Sequence, residues 1–179
     1  DGQAEIKIRL GWLHLPETSR DVAKEATVFA QEVKEAGISK VLLLGMGGSS
    51  LGPEVMARTF GVPEDIFAIV DSTDPAQIAE ARELFPPAET LYIVASKSGG
   101  TAETMSAYHY FWQESGEDGS HFVAITDPGS NLEKMATERN FRKIFQADTT
   151  VGGRFSALTA FGLVPAALQG VDLTQALDR

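Results

Sequence analysis

The sequence predicts a doubly wound α/β sandwich, with helices on both faces of a parallel sheet. Three observations carry this. Short runs rich in Val, Ile and Leu recur at even spacing, segments of helical period separate them, and the connections are short.

The apolar runs come first. Residues 40–44 read KVLLL, 66–70 read IFAIV, 91–95 read LYIVA and 122–125 read FVAI, with a weaker fifth, KIF, at 143–145. Continuous apolar runs of this length, without polar alternation, fit strands buried on both faces. Between them lie the helical segments. Residues 21–36 carry a stripe of Val22, Ala26, Phe29, Ala30 and Val33, with Thr18 and Asp21 spaced like a capping box and Gly37 as a stop. A helix starts near Ser50. Asp74 followed by Pro75 opens another toward Leu84, and Ser130 with Glu133 caps a third toward Arg139. Residues 101–115 and the almost uncharged stretch 157–169 are helical by pattern. Residues 1–17 are the least regular; Trp12, Leu13 and Leu15 signal packing on this domain or on a neighbour. With no repeat, low-complexity tract or linker, the division is a segment 1–17 and one domain 18–179.

Length and charge narrow the function. A chain of 179 residues is about one domain at roughly 150 residues each. Area scaling takes it from about 28,000 Å² unfolded to about 8,400 Å² folded, so roughly 70% is buried without staples. Fifteen basic against 25 acidic residues give a net charge of −10, which repels nucleic acid and anionic membrane. Cysteine is absent, which excludes disulfides and thiolate metal sites. His14, His109 and His121 are scattered, so no metal site is expected. No apolar run reaches about 18 residues and no signal peptide opens the chain, so the expectation is a soluble cytoplasmic domain.

The chemistry gathers where strands end. In open parallel sheets ligands bind beyond the carboxyl ends of the strands. The segment after the first strand reads GMGGSSLGP over residues 45–53. Its glycines let backbone approach a ligand, and the following helix offers free N–H groups to an anion. Read alone, the alternative is a plain tight turn. The segment after the third strand, SKSGGT at 96–101, joins three hydroxyls, a lysine and two glycines at a helix start, a phosphate cradle or a hydrophilic turn with a cap. Residues 151–156, VGGRFS, place Arg154 after two glycines. That arginine either reaches the crevice and stabilises a developing anion or lies on the surface. Two standard nucleotide motifs fail. Ser50 stands where G-x-G-x-x-G needs its last glycine, although Asp71 mimics the ribose-binding acid, and Lys97 lacks the glycines of a P-loop.

Together these segments resemble the phosphoglucose isomerase family. Residues 44–53, LGMGGSSLGP, are similar to its first phosphosugar-contacting loop. Residues 95–104, ASKSGGTAET, are similar to its serine-lysine phosphate loop, and residues 151–160, VGGRFSALTA, to its Gly-Gly-Arg signature. The resemblance, spanning roughly 18–170, implies a sugar isomerase (SIS) domain, a three-layer αβα sandwich with a five-stranded parallel sheet of flavodoxin-like type. It implies that Ser96, Lys97, Ser98 and Thr101 bind the sugar phosphate, that Gly48, Ser49 and Gly153 lie against the phosphosugar, and that Arg154 stabilises an enediolate-like intermediate. Family enzymes interconvert glucose 6-phosphate and fructose 6-phosphate through a cis-enediol, without metal or cofactor, in glycolysis and gluconeogenesis. One departure stands out: Gly99-Gly100 occupies the place where relatives usually carry a threonine before the match of Thr101, one hydroxyl fewer.

In the family the proton-transferring glutamate, the ring-opening histidine and a catalytic lysine lie in or around a second sugar isomerase domain. Nothing in this sequence matches them. Glu54 and Glu103 read as first-turn helix acids and His109 and His121 as structural. The expectation is the first half of a two-domain isomerase, or of an isomerase module in a fusion, inactive alone. Its partners would be the sugar phosphate and the second domain, with homodimerisation left open. An apolar patch to which Trp12 and the helix 161–168 contribute is expected where that domain docks. Two alternatives stand: a stand-alone phosphosugar-binding regulatory module, which has no need of the Gly-Gly-Arg arginine, and a dinucleotide-binding domain.

Overall fold

The computed structural model describes residues 10–178. Five strands, β1 (Lys40–Gly45), β2 (Phe67–Val70), β3 (Thr90–Ala95), β4 (Phe122–Thr126) and β5 (Lys143–Gln146), pair in parallel in the order β2-β1-β3-β4-β5. The helices are α1 (Arg20–Glu35), α2 (Leu51–Phe60), α3 (Pro75–Leu84), α4 (Ala102–Glu114), α5 (Asn131–Glu138), α6 (Ala160–Leu168) and α7 (Leu173–Leu177). This is the expected flavodoxin-like αβα sandwich, the weak fifth strand included.

Alternation along the strands divides the core. Leu43, Ile93, Val123 and Ile125 face α1 and α6, meeting Phe29, Val33, Phe161 and Val164. Leu42, Leu44, Tyr92 and Val94 face the other layer, where Tyr108, Phe111 and Trp112 of α4 join Phe122 in an aromatic cluster. Each such side chain contributes about 1.5–3 kcal/mol on burial. Tyr92 carries its hydroxyl into this cluster and donates to the Phe85 carbonyl at 3.2 Å; burial pushes the phenol up to about 12, so it remains a donor.

Three local expectations differ from the structure. The Thr18–Asp21 capping box does not form: the Thr18 hydroxyl donates back to the His14 carbonyl at 3.1 Å within a one-turn helix, Leu15–Thr18, and α1 starts after Ser19. The helix read over 157–169 is two elements, a 3-10 stretch Gly153–Leu158 and then α6. The chain folds back there until a Cβ on Gly162 would lie 1.9 Å from the Ala157 carbonyl oxygen, and Thr159 caps α6 by accepting from the Phe161 N–H at 3.3 Å. Helix 161–168 is also no surface patch. Phe161, Leu163, Val164 and Ala166 are buried, because α6 packs against α1 and α2 over the sheet. A helix apolar all round belongs inside. Trp12 is partly exposed and stacks on Phe155 with ring centroids 5.1 Å apart.

Candidate functional site

The chain leaves β1 for the edge strand β2, then crosses back over β1 to reach β3. The β1/β3 junction is therefore the switch point, where two connections diverge and open a crevice. Gly45 and Ala95 are register partners, so β1 and β3 end level and their loops leave the sheet side by side.

Helix capping separates these two loops from the others. Of the five helices that follow a strand, α3, α5 and α6 have an N-cap side chain bonded to a first-turn N–H, from Asp74, Ser130 and Thr159. Helices α2 and α4 have none: Ser50 and Thr101 stand at their N-caps without a side-chain cap bond. Thr101 Oγ1 pairs instead with the buried Ser96 Oγ at 2.9 Å, which ties the 96–101 loop shut at its base. First-turn N–H groups left unbonded at the positive end of a helix suit an anion.

A shallow, open cleft of about 400 Å³ lies over this junction, lined by Met46, Gly48, Ser49, Lys97, Ser98, Thr101, Asp127 and Gly153. Six of the eight candidate residues thus line one cavity, from three loops far apart in sequence, and Ser96 lies beneath it. The third loop reaches the first by backbone contact. A Cβ on Gly48 would lie 2.1 Å from the Gly153 carbonyl oxygen, and Ser156 Oγ lies 2.7 Å from the Gly153 carbonyl oxygen and 3.1 Å from that of Gly48. Gly99, at φ +71°, has no room for a side chain either, since its Cβ would meet Ser130 Cβ at 2.8 Å.

Arg154 is exposed at the start of the 3-10 stretch, and its side chain does not line the cleft among the described residues. Glu103 is half-buried in the first turn of α4, also outside the cleft lining. His121 Nδ1 lies 2.9 Å from the Thr90 carbonyl oxygen, a structural contact, and His109 is exposed on α4. Asp71 lines a separate groove beside β2, between α2 and α3, and does not join the cleft as a ribose-binding acid would. No three His, Cys, Asp or Glu side chains converge among the described residues, and no described helix is long and apolar enough to cross a membrane.

Asp127 is the residue that the sequence reading missed. Its carboxylate accepts from Lys97 Nζ at 2.6 Å, while the same ammonium donates to the Asp148 carbonyl at 3.2 Å. The signal was present, an Asp-Pro one residue beyond the fourth apolar run, but only the sheet order brings it beside Lys97.

An all-parallel sheet of order 2-1-3-4-5, its switch point ringed by glycine- and hydroxyl-rich loops, defines the class: a flavodoxin-like α/β domain of sugar isomerase type. More particularly, the chain belongs to the phosphoglucose isomerase family, whose sequence model matches residues 23–178. Glucose-6-phosphate isomerases of Citrifermentans bemidjiense and Thermus thermophilus are each 36% identical over 93% and 92% of the chain. The chain spans 36% and 40% of their lengths. A crystal structure of a hypothetical protein from Thermus thermophilus superposes with a TM-score of 0.87 at 34% identity, covering 96% of this chain and 42% of that one. A glucose-6-phosphate isomerase from Chlamydia trachomatis superposes with a TM-score of 0.74 at 29% identity, covering 88% of this chain and 31% of that one.

Proposed function

We propose that this chain is the first sugar isomerase domain, residues 18–179, of a glucose-6-phosphate isomerase, and that the switch-point cleft holds the phosphate end of glucose 6-phosphate or fructose 6-phosphate. The observation that carries the reading is the convergence of Gly48, Ser49, Lys97, Ser98, Thr101 and Gly153 on one cavity at two uncapped helix starts. Phosphate oxygens accept from the Ser98 and Thr101 hydroxyls, from α4 first-turn N–H groups and from the Lys97 proton not engaged by Asp127 or Asp148. The sugar then runs toward Gly48, Ser49 and Gly153, where the space beside Gly153 is open, a Cβ there meeting nothing within 4 Å.

In the complete enzyme, aldose and ketose interconvert through a cis-enediol. The proton moves between adjacent sugar carbons, and negative charge appears on the sugar oxygens. Arg154 is the group of this chain assigned to that charge, brought inward when the second domain and the substrate close the cleft. The base comes from outside this chain, because no carboxylate near the cleft among the described residues is free to take the proton. Asp127 is paired to Lys97, and Glu103 stands outside the lining. The chain alone therefore binds weakly and does not turn over. Its partner is the remainder of the parent, a second domain of the same type, and sedimentation of the parent distinguishes a monomer from a homodimer.

Calorimetric titration of the 179-residue chain with fructose 6-phosphate tests the binding part, with a nicotinamide dinucleotide as the control. Fructose 6-phosphate binds and the dinucleotide does not. Dinucleotide binding without sugar-phosphate binding overturns the reading. Isomerisation by the chain alone, abolished by Glu103→Gln, moves the base into this domain.

A further inference from the structure

We propose that residues 10–13 are a strap that holds the Gly-Gly-Arg loop in register with the cleft, and that Trp12 is its positioning residue for the phosphosugar. This rests on the binding reading above but concerns residues outside the cleft, in the segment that the sequence left open to packing on this domain or on a neighbour.

The loop from Asp148 to Gly153 follows β5 and precedes the 3-10 stretch, so no strand partner holds it from within the sheet. Besides its contacts with Lys97 and Gly48, it is held from the N-terminal side by the strap. Leu10 forms an antiparallel bridge with Val151, and the Gly11 N–H donates to the Thr150 carbonyl at 3.3 Å. The approach is close enough that a Cβ on Gly11 would lie 2.0 Å from Thr150 Oγ1. Trp12 then lays its ring on Phe155 at 5.1 Å with the planes 15° apart. The strap is anchored beyond the stack by Leu15, which is 3% exposed.

The clamped loop touches both sides of the cleft. On one side Thr150 donates its N–H and its hydroxyl to the Asp148 carboxylate at 2.8 and 2.6 Å, and the Asp148 carbonyl accepts from Lys97 Nζ at 3.2 Å. On the other side Gly153 abuts Gly48 through backbone, and the Ser156 hydroxyl, within 2.7 Å of the Gly153 carbonyl oxygen and 3.1 Å of that of Gly48, ties the two together. Movement of the loop therefore moves the Gly48 wall and leaves Lys97 with its Asp127 partner. The stack itself stands apart from the core: Trp12 is 37% and Phe155 53% exposed. Its loss acts on the loop before it acts on the fold.

The test compares Trp12→Ala, Trp12→Phe and the unmodified 179-residue chain, using titration with fructose 6-phosphate and with inorganic phosphate, and hydrogen exchange of the backbone amides. The strap predicts that Trp12→Ala weakens fructose 6-phosphate by roughly tenfold, the order of coupling that a positioning residue carries. Inorganic phosphate, held by the 96–101 loop, changes by less than about twofold, because that loop keeps its own bonds. Exchange rises at residues 151–155 and not in the sheet, and Trp12→Phe, which keeps a stacked ring, restores both readouts. Unchanged fructose 6-phosphate affinity in Trp12→Ala overturns the strap while leaving the binding reading intact. So does an equal loss for both ligands that Trp12→Phe does not restore, since that is the behaviour of a residue needed only for folding. If the unmodified chain binds neither ligand, the binding reading falls, and unchanged exchange at 151–155 in Trp12→Ala then removes the strap as well.

Discussion

Lys97 Nζ and Asp127 Oδ1 lie 2.6 Å apart at the mouth of the cleft, joining the loop after β3 to the loop after β4. The ammonium is thus oriented by a carboxylate that also faces the place where an anion would bind. Asp127 fixes the direction of Lys97 and lowers the net positive field that it presents. On the proposed reading, an anion entering the cleft meets one cation already partly neutralised and draws the rest of its binding from hydroxyls and helix N–H groups.

Replacing Asp127 by Asn keeps an acceptor for Lys97 and removes the charge. Inorganic phosphate should then bind more tightly by about 1 kcal/mol, roughly fivefold, the size of one unit-charge interaction in a wet site. Calorimetry at low salt reads this, and the gain should shrink as salt is added. No gain at low salt would place the anion away from Asp127.

Ser98→Ala combined with Thr101→Ala removes two hydroxyl donors from the loop. The double variant should lose about 1–3 kcal/mol of sugar-phosphate affinity, given what charge-assisted hydrogen bonds contribute. Unchanged binding in the double variant would remove the 96–101 loop from the site.

Gly48→Ala forces a Cβ to within 2.1 Å of the Gly153 carbonyl oxygen, so the first and third loops must separate. The expected cost is about 1–3 kcal/mol in urea denaturation, with loss of sugar-phosphate binding. Gly100→Ala is the control, since a Cβ there meets nothing within 4 Å. Equal stability of the two variants would contradict the packing of the loops.

In the complete enzyme, Arg154→Ala should lower kcat by roughly 10²-fold or more with a smaller change in KM, as for a group that acts where charge develops. A raised KM at normal kcat would make Arg154 a binding residue only.

Glu133 gives a pH test of the loop that carries Asp127. The Gly129 N–H first, at 2.5 Å, and then the Gln146 amide, at 2.6 Å, hold its carboxyl below the usual glutamate range. A folded-state value below the unfolded one means that stability is fully present above the unfolded value of about 4.3 and is lost as pH falls through the folded value. Glu133→Gln should therefore lower the Tm at neutral pH and make little difference once pH is below the folded value. A Tm difference that is constant down to acid pH would show that the carboxylate charge is not what stabilises the loop.

By itself the sequence determined the layers and the chemistry of the loops. Five apolar runs became five parallel strands because residues 41–44 and 91–95 have no polar face to leave in water, and the glycine and hydroxyl content of 45–53 and 96–101 marked two loops that line the cleft. Asp74 and Ser130 announced their helices because their bonds are local, to N–H groups two and three residues on. What crosses the chain was decided only by the tertiary structure. Thr18 preferred a carbonyl four residues back to the expected cap, 3-10 geometry replaced the expected helix at 157–158 where Ala157 packs on Gly162, and α6 was covered by α1 and α2 instead of facing outward. Asp127 reached Lys97 across 30 positions and Gly48 met Gly153 across 105, contacts that depend on strand order. Local spacing can specify a cap or a turn, since the partners are joined by a few bonds. Which loops share a cleft follows from the order in which strands pair, and that order is set by the packing of the whole sheet between its helices.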